Sequence, residues 1–142
     1  MSGTVLSFYL NDSLFGIDIV LIREINRNVE YTSVPGARPY IVGLFNMRGQ
    51  VVTLFDLSKL IGLTQETEMK RSTCIILKAP ANDPNQIGFL IDKPGDVIDL
   101  DQEECEIPPA NVVGVEGEYI NQVVKLRDQL LMILDPEKIF KA

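Results

Sequence analysis

The chain has 142 residues, 46% of them hydrophobic and 23% charged, a balance that suits one globular domain or two small lobes sharing a core. Its net charge of −7, with no histidine, argues against nucleic acid and against direct contact with an anionic membrane, both of which favour clustered Lys and Arg. Cys74 and Cys105 make no disulfide framework. No basic-then-apolar leader opens the chain and no apolar run reaches the roughly 18 residues of a membrane span, so a cytoplasmic location is expected.

Leu6, Phe8 and Leu10 alternate with Val5, Ser7 and Tyr9, the period of a strand. Asn11-Asp12-Ser13 is turn chemistry, and Phe15, Ile17 and Ile19 alternate after it, which predicts a hairpin. Val20 to Ile25 reads as a helical turn or a continuing strand, and Val29 to Val34 alternates again before Pro35 and Pro39 bracket a loop. Strands are predicted at 42–47 and 50–56, then a short helix at 57–61 with Asp56 as N-cap and Gly62 as stop. Thr64 to Arg71 is apolar-poor and reads as an exposed linker. Further strands are predicted near 73–78, 86–91, 96–100, 112–116, 118–126 and 129–134, with an acidic, Pro-containing loop at 101–109. Asp135-Pro136-Glu137 starts a final helical turn, with Pro at the first helical position.

A shift of 79 residues exposes a weak repeat of 40–61 in 119–140. Tyr40-Ile41 matches Tyr119-Ile120, Arg48 matches Arg127, Gln50 matches Gln129, Asp56 matches Asp135 and Lys59 matches Lys138, with no gap between. The pattern implies two similar β units within a single domain, 1–142. Where the first unit has Gly49, the second has Asp128, so the Asn46-x-Arg48-Gly49 turn belongs to the first alone. Gly49 takes positive φ at little cost, as a reversal between strands demands, and Arg48 at its tip has no packing duty.

The run Gly43-Leu44-Phe45-Asn46-Met47-Arg48-Gly49-Gln50-Val51-Val52 resembles the signature of the CheW family, the coupling proteins of bacterial chemoreceptor arrays. Phe15-Gly16-Ile17-Asp18-Ile19, Ile22-Arg23-Glu24-Ile25, Val34-Pro35, Asp56-Leu57 and Ile87-Gly88-Phe89-Leu90-Ile91-Asp92 agree in order, so the resemblance spans nearly the whole chain. It implies an all-β (mainly β) fold of two small five-stranded β-barrels packed side by side, which need not be contiguous in sequence, with a few short helices. It implies a non-enzymatic adaptor, without cofactor, that couples chemoreceptors to the histidine kinase CheA. The receptor's helical tip would enter a groove between the barrels, a helix-in-groove mode. The matching receptor-binding candidates are Ile22, Glu24, Gly43, Asn46, Arg48 and Gly49. Gly43 would leave room for the receptor, and Glu24 would reach Arg48 or a basic group on the partner. Ile87, Gly88, Phe89, Leu90 and Ile91 are the candidates for the kinase's regulatory domain. Met47 stands where Leu is common, Thr53 and Ser58 where Pro and Arg are usual, and Pro39 falls one position later than the family's second Pro. These departures touch partner identity, and a related chemosensory pathway for gliding or pilus motility is the alternative. No appended receiver domain fits within the chain.

Each candidate has a bland counterpart. Arg48 on an arbitrary barrel is a solvated tip, and Glu24 an exposed carboxylate. Asp18 reads as the solvent face of a strand, Cys74 as a core residue in an apolar run, and Gly16 and Gly88 as bulges or close backbone approaches. Asp99, Asp101, Glu103, Glu104 and Glu106 lack the spacing of a calcium loop and read as a solvated acidic stretch, with no metal. Without histidine or a nucleophile or phosphate-loop motif, catalysis has little support. A single-strand nucleic-acid binder and a metal- or ligand-dependent enzyme are the competing classes, against which charge and motif content weigh.

Overall fold

In the computed structural model, residues 3–62, 71–78, 86–100, 104–106, 111–112, 115–116 and 119–140 are described. The described strands are β1 (Thr4–Leu10), β2 (Ser13–Asp18), β3 (Ile22–Asn26), β4 (Ile41–Met47), β5 (Gln50–Asp56), β6 (Thr73–Leu77) and β7 (Gln86–Ile91). They continue as β8 (Lys93–Asp99), β9 (Glu104–Glu106), β10 (Asn111–Val112), β11 (Val115–Glu116), β12 (Ile120–Lys125) and β13 (Leu130–Leu134). Two short helices follow β5 and β13, α1 (Leu57–Leu60) and α2 (Pro136–Phe140). One sheet runs β8-β1-β2-β13-β12-β9, drawn from both ends of the chain, and the other β3-β6-β7-β5-β4, drawn from the stretch between them. The extra strand in the first sheet is β9, three residues long at its edge. Among the described residues neither ladder closes into a full ring.

The apolar alternation buries both faces of each sheet. In the five-stranded unit, Val52, Leu54, Cys74, Ile76 and Leu90 pack together on one face, with Val29 and Met47. Phe55, Ile75, Leu77, Phe89 and Ile91, one step out of phase, enter a second cluster with Leu6, Phe8, Phe15, Ile17, Met132 and Leu134 of the other sheet. Phe8 and Phe89 meet across this shared core with ring centroids 5.4 Å apart. Val5, Leu14, Leu100, Val124, Leu131 and Ile133 fill the inner face of the six-stranded unit. Period-two strands with two buried faces thus give two small interiors and one layer between them.

Gly16 and Gly88 mark close approaches within these interiors. A Cβ on Gly16 would meet Ile133 Cδ1 at 3.1 Å, and one on Gly88 would meet the Ile75 carbonyl oxygen and Leu54 Cδ2 at 3.2 Å. Both pair with a parallel neighbour at the same step of the repeat, Ile133 with Gly16 and Leu54 with Gly88. The repeat is geometric as well. The Asp56 and Asp135 amides donate to Tyr40 and Tyr119 carbonyls at 2.7 and 2.8 Å. The β4–β5 register slips between Ile41 and Gly43, and the β12–β13 register between Ile120 and Gln122.

Several expectations are corrected. Val20–Ile25 is both things read from it, a 3-10 turn over Ile19–Leu21 and then β3. Residues 29–34 form no strand. Val29 N–H still bonds the Ser72 carbonyl beside β6, while Thr32 already bridges to Leu44, so the segment crosses from one edge of the sheet to the other and pairs only once there. Asp18 does not face solvent. It is buried and accepts from the Val20 amide at 3.2 Å, capping the 3-10 turn. β8 begins at Lys93 and so contains Pro94, tolerated because β8 is an edge strand whose outer side needs no N–H. Arg71, expected in an exposed linker, is buried. Thr64 to Met69, Lys70, Asp101 and Glu103 lie outside the described residues, and for Glu104, Cys105 and Glu106 the strand alone is described.

Cys74 is fully buried, and desolvation pushes its thiol up to about 11. A thiol kept neutral this way contributes stability that is intact below its unfolded value of 9.0 and is lost as pH rises toward about 11. In a Cys105→Ser background, alkylation of Cys74 at pH 8 is therefore expected to follow global unfolding. Labelling of folded protein at the rate of a free thiol would contradict this burial.

Candidate functional site

Met47 pairs with Gln50, so the β4–β5 turn is only two residues long. Arg48 and Gly49 have φ of 52° and 84°, positive at both central positions, which is the type I′ geometry that matches strand twist. Asn46 and Met47 end β4, as the strand predicted at 42–47 requires, and Asn46 Oδ1 accepts the Gly49 amide at 3.1 Å and braces the reversal.

The guanidinium of Arg48 pairs with the carboxylate of Glu24 on β3. β3 and β4 stand at opposite ends of the five-stranded order, so this contact, with the crossing segment 29–32, brings the two edges of the sheet together. Arg48 remains 66% exposed and Glu24 27% exposed, so the pair is presented rather than buried. Such a pair is worth no more than about 1 kcal/mol to folding. Its stability value does not explain a non-glycine residue held at positive φ.

The other expected residues divide. Ile22 is half-buried against the shared core and anchors the start of β3. Gly43 is buried, and its missing Cβ makes room for the chain's own backbone at Thr32, not for a groove. β7 lies between β6 and β5, and Phe89, Leu90 and Ile91 are buried in the two cores. Gly88 is buried and Ile87 packs against the shared core, so this strand offers little surface to a kinase. A groove of about 550 Å³ beside the hairpin is lined by Asn28, Glu30, Thr32, Leu44, Phe45, Asn46 and Val51, all from the five-stranded unit.

Residues not singled out from sequence complete the surroundings. Arg23 Nη1 donates to Gln50 Oε1 at 3.1 Å, and the buried Gln86 donates to the same oxygen. The sequence signal was the match of Gln50 to Gln129, which in the second unit reaches Tyr9 at 3.3 Å. Among the described residues no cluster of acidic, Cys or His side chains could hold a metal, and no helix is long and apolar enough to cross a membrane.

A paired β scaffold that displays an ion-paired arginine on a rigid turn defines a binding module. The CheW-like domain family model matches residues 4–142, and the chain belongs to that family. It is 30% identical over 142 residues to the chemotaxis protein CheW of Treponema pallidum, covering 97% of this chain and 82% of that one. It is 33% identical over 132 residues to the chemotaxis protein CheW of Bacillus subtilis, covering 93% and 83%. The crystal structure of the scaffolding protein TtCheW from Thermoanaerobacter tengcongensis superposes with a TM-score of 0.79 at 27% identity, over 95% of this chain and 85% of that one. The function is accordingly that of a chemotaxis adaptor or scaffold.

Proposed function

We propose that this protein is a cytoplasmic adaptor that couples chemoreceptor tips to a CheA-type histidine kinase, and that Arg48 is its central receptor contact. The observation that carries the reading is Arg48 itself: two-thirds exposed, held at positive φ on a two-residue turn, and aimed by Glu24. An arginine fork oriented in advance loses less entropy when it makes directed hydrogen bonds to a partner helix. Asn46 and Gly49 fix the turn, Glu24 sets the register of the fork, and Ile22 anchors the strand that carries Glu24. Gly43 supports the same hairpin from within. With Gly88 to Ile91 buried and Ile87 half-buried, the kinase's regulatory domain docks on other, exposed edges in this reading. Neither nucleic acid nor direct membrane contact is part of this role.

The test is binding of the purified protein to a receptor cytoplasmic fragment and, separately, to the kinase regulatory domain from the same cell. Arg48→Glu is expected to weaken receptor binding by roughly 30-fold or more, the scale of an interface hot spot, because Glu24 and the new carboxylate also repel. Thermal stability and kinase binding should stay near wild type. Unchanged receptor affinity in this variant would remove Arg48 from the contact.

A further inference from the structure

β3 carries a register slip. Ile22 pairs with Leu77 but Glu24 pairs with Ile76, so one step on β6 answers two residues on β3. In a regular strand Arg23 and Glu24 would point to opposite faces. A bulge re-aims one of them. Both now grip the same hairpin, Arg23 through Gln50 and Glu24 through Arg48.

Gln50 is held from a second side by Gln86, whose Nε2 donates to the Gln50 Oε1 that Arg23 also uses. Gln86 is 4% exposed and sits opposite Val52 in the parallel ladder. Its own Oε1 is buried with no protein partner among the described residues. An open acceptor in the interior costs stability, and an apolar side chain of similar shape would remove that cost. The amide's gain is its bond to Gln50.

We propose that Arg23, Gln50 and Gln86 are positioning residues that hold the β4–β5 turn against β3, keeping Arg48 paired with Glu24 in the free protein. An exposed Arg–Glu pair left to itself is weakly held. A second bond from the same strand, two residues along the hairpin, fixes the backbone on which the pair depends, and so prepares the guanidinium before a partner arrives. The inference deepens the proposed receptor contact and rests on it for its consequence in binding, but its claim about the free protein is separable.

The experiment uses Gln50→Ala and Arg23→Ala in the full chain, each alone and combined with Arg48→Ala. The first readout is side-chain nitrogen NMR of the Arg48 guanidinium in the free protein. Faster proton exchange at Arg48 is expected in both variants, with melting temperature close to wild type. The second readout is affinity for the receptor fragment. A loss of roughly three- to tenfold is expected in the Arg48 background and no further loss in the Arg48→Ala background, the non-additivity of groups acting through one another. An Arg48 signal unchanged in both variants overturns the inference, as does an equal loss of affinity in both backgrounds. If Arg48→Ala binds the receptor normally while Gln50→Ala still frees the guanidinium, the receptor contact fails and the positioning role stands.

Discussion

Gly43→Ala is expected to cost about 3 kcal/mol of folding stability, a large loss for a single methyl group. An added Cβ would press on the Thr32 carbonyl oxygen, lie 2.8 Å from the carbonyl carbon and sit 3.1 Å from Tyr31 Cδ2. The first two are backbone atoms and cannot rotate away. Thr32 also exchanges two hydrogen bonds of 2.8 Å with Leu44, the only isolated bridge among the described residues, on the segment that crosses from the β3 edge to the β4 edge. Relief of the clash therefore breaks that bridge. For a 142-residue chain the loss corresponds to a fall in melting temperature of roughly 10 °C, read by calorimetry or circular dichroism. Gly43→Asp adds a buried charge and is expected not to fold. Gly49→Ala is the control: it meets nothing within 4 Å and pays only for φ of +84°, about 1–2 kcal/mol. A Gly43→Ala protein that melts like wild type would show that Thr32 yields freely.

That result also bears on how function is assigned. A Gly43 variant that no longer binds a receptor reports the loss of the hairpin's support, whereas Arg48 and Gln50 variants leave the backbone in place. The two glycines of the motif thus serve different purposes, space at Gly43 and positive φ at Gly49.

The strands and both caps were legible because they are local. Alternation predicted β1, β2, β5, β6, β7 and β13 to within a residue or two, and Asp56 does cap α1 through the Lys59 amide at 3.3 Å. The ordered resemblance carried the rest of the architecture and the Glu24–Arg48 pair. Where the sequence misled, the cause was long-range. The alternation in Val29–Val34 is real, but the segment's partner edge changes midway, and no local pattern records that. Asp18 looks like an outward strand residue until the turn that follows needs a cap. The apolar run at 87–91 signals burial as readily as a surface, and the strand lies between two neighbours with Gly88 to Ile91 buried. Gln86 and Arg23 gave no signal of their own, since a polar residue at a strand end or on an edge is ordinary.

Arg71 is the strongest such case, and Arg71→Met is expected to destabilise the protein by about 3 kcal/mol, comparable to Gly43→Ala. Its side chain is 5% exposed and links three places far apart in sequence. Nε donates to Asp92 Oδ1 at 2.6 Å, at the β7–β8 junction, and Nη2 donates to Asn11 Oδ1 at 2.9 Å, in the β1–β2 turn. Nη1 lies 3.6 Å from the Asp56 carboxylate that caps α1. The Asn11 backbone N–H in turn donates to Asp92 Oδ2 at 2.8 Å. One guanidinium therefore joins the six-stranded sheet to the five-stranded one, and the planar fork matters as much as the charge. Arg71→Lys is accordingly expected to recover only part of the loss. Removing the cation leaves two largely covered carboxylates without the guanidinium they share, so Asp92→Asn should cost less in the Arg71→Met background than in wild type, a coupling readable in a double-mutant cycle by urea denaturation. Additive losses, or an Arg71→Met midpoint indistinguishable from wild type, would show the clasp to be incidental. Because the clasp fixes one β unit against the other, its loss should weaken kinase and receptor binding together at temperatures near the lowered melting point, whereas Arg48→Glu separates the two.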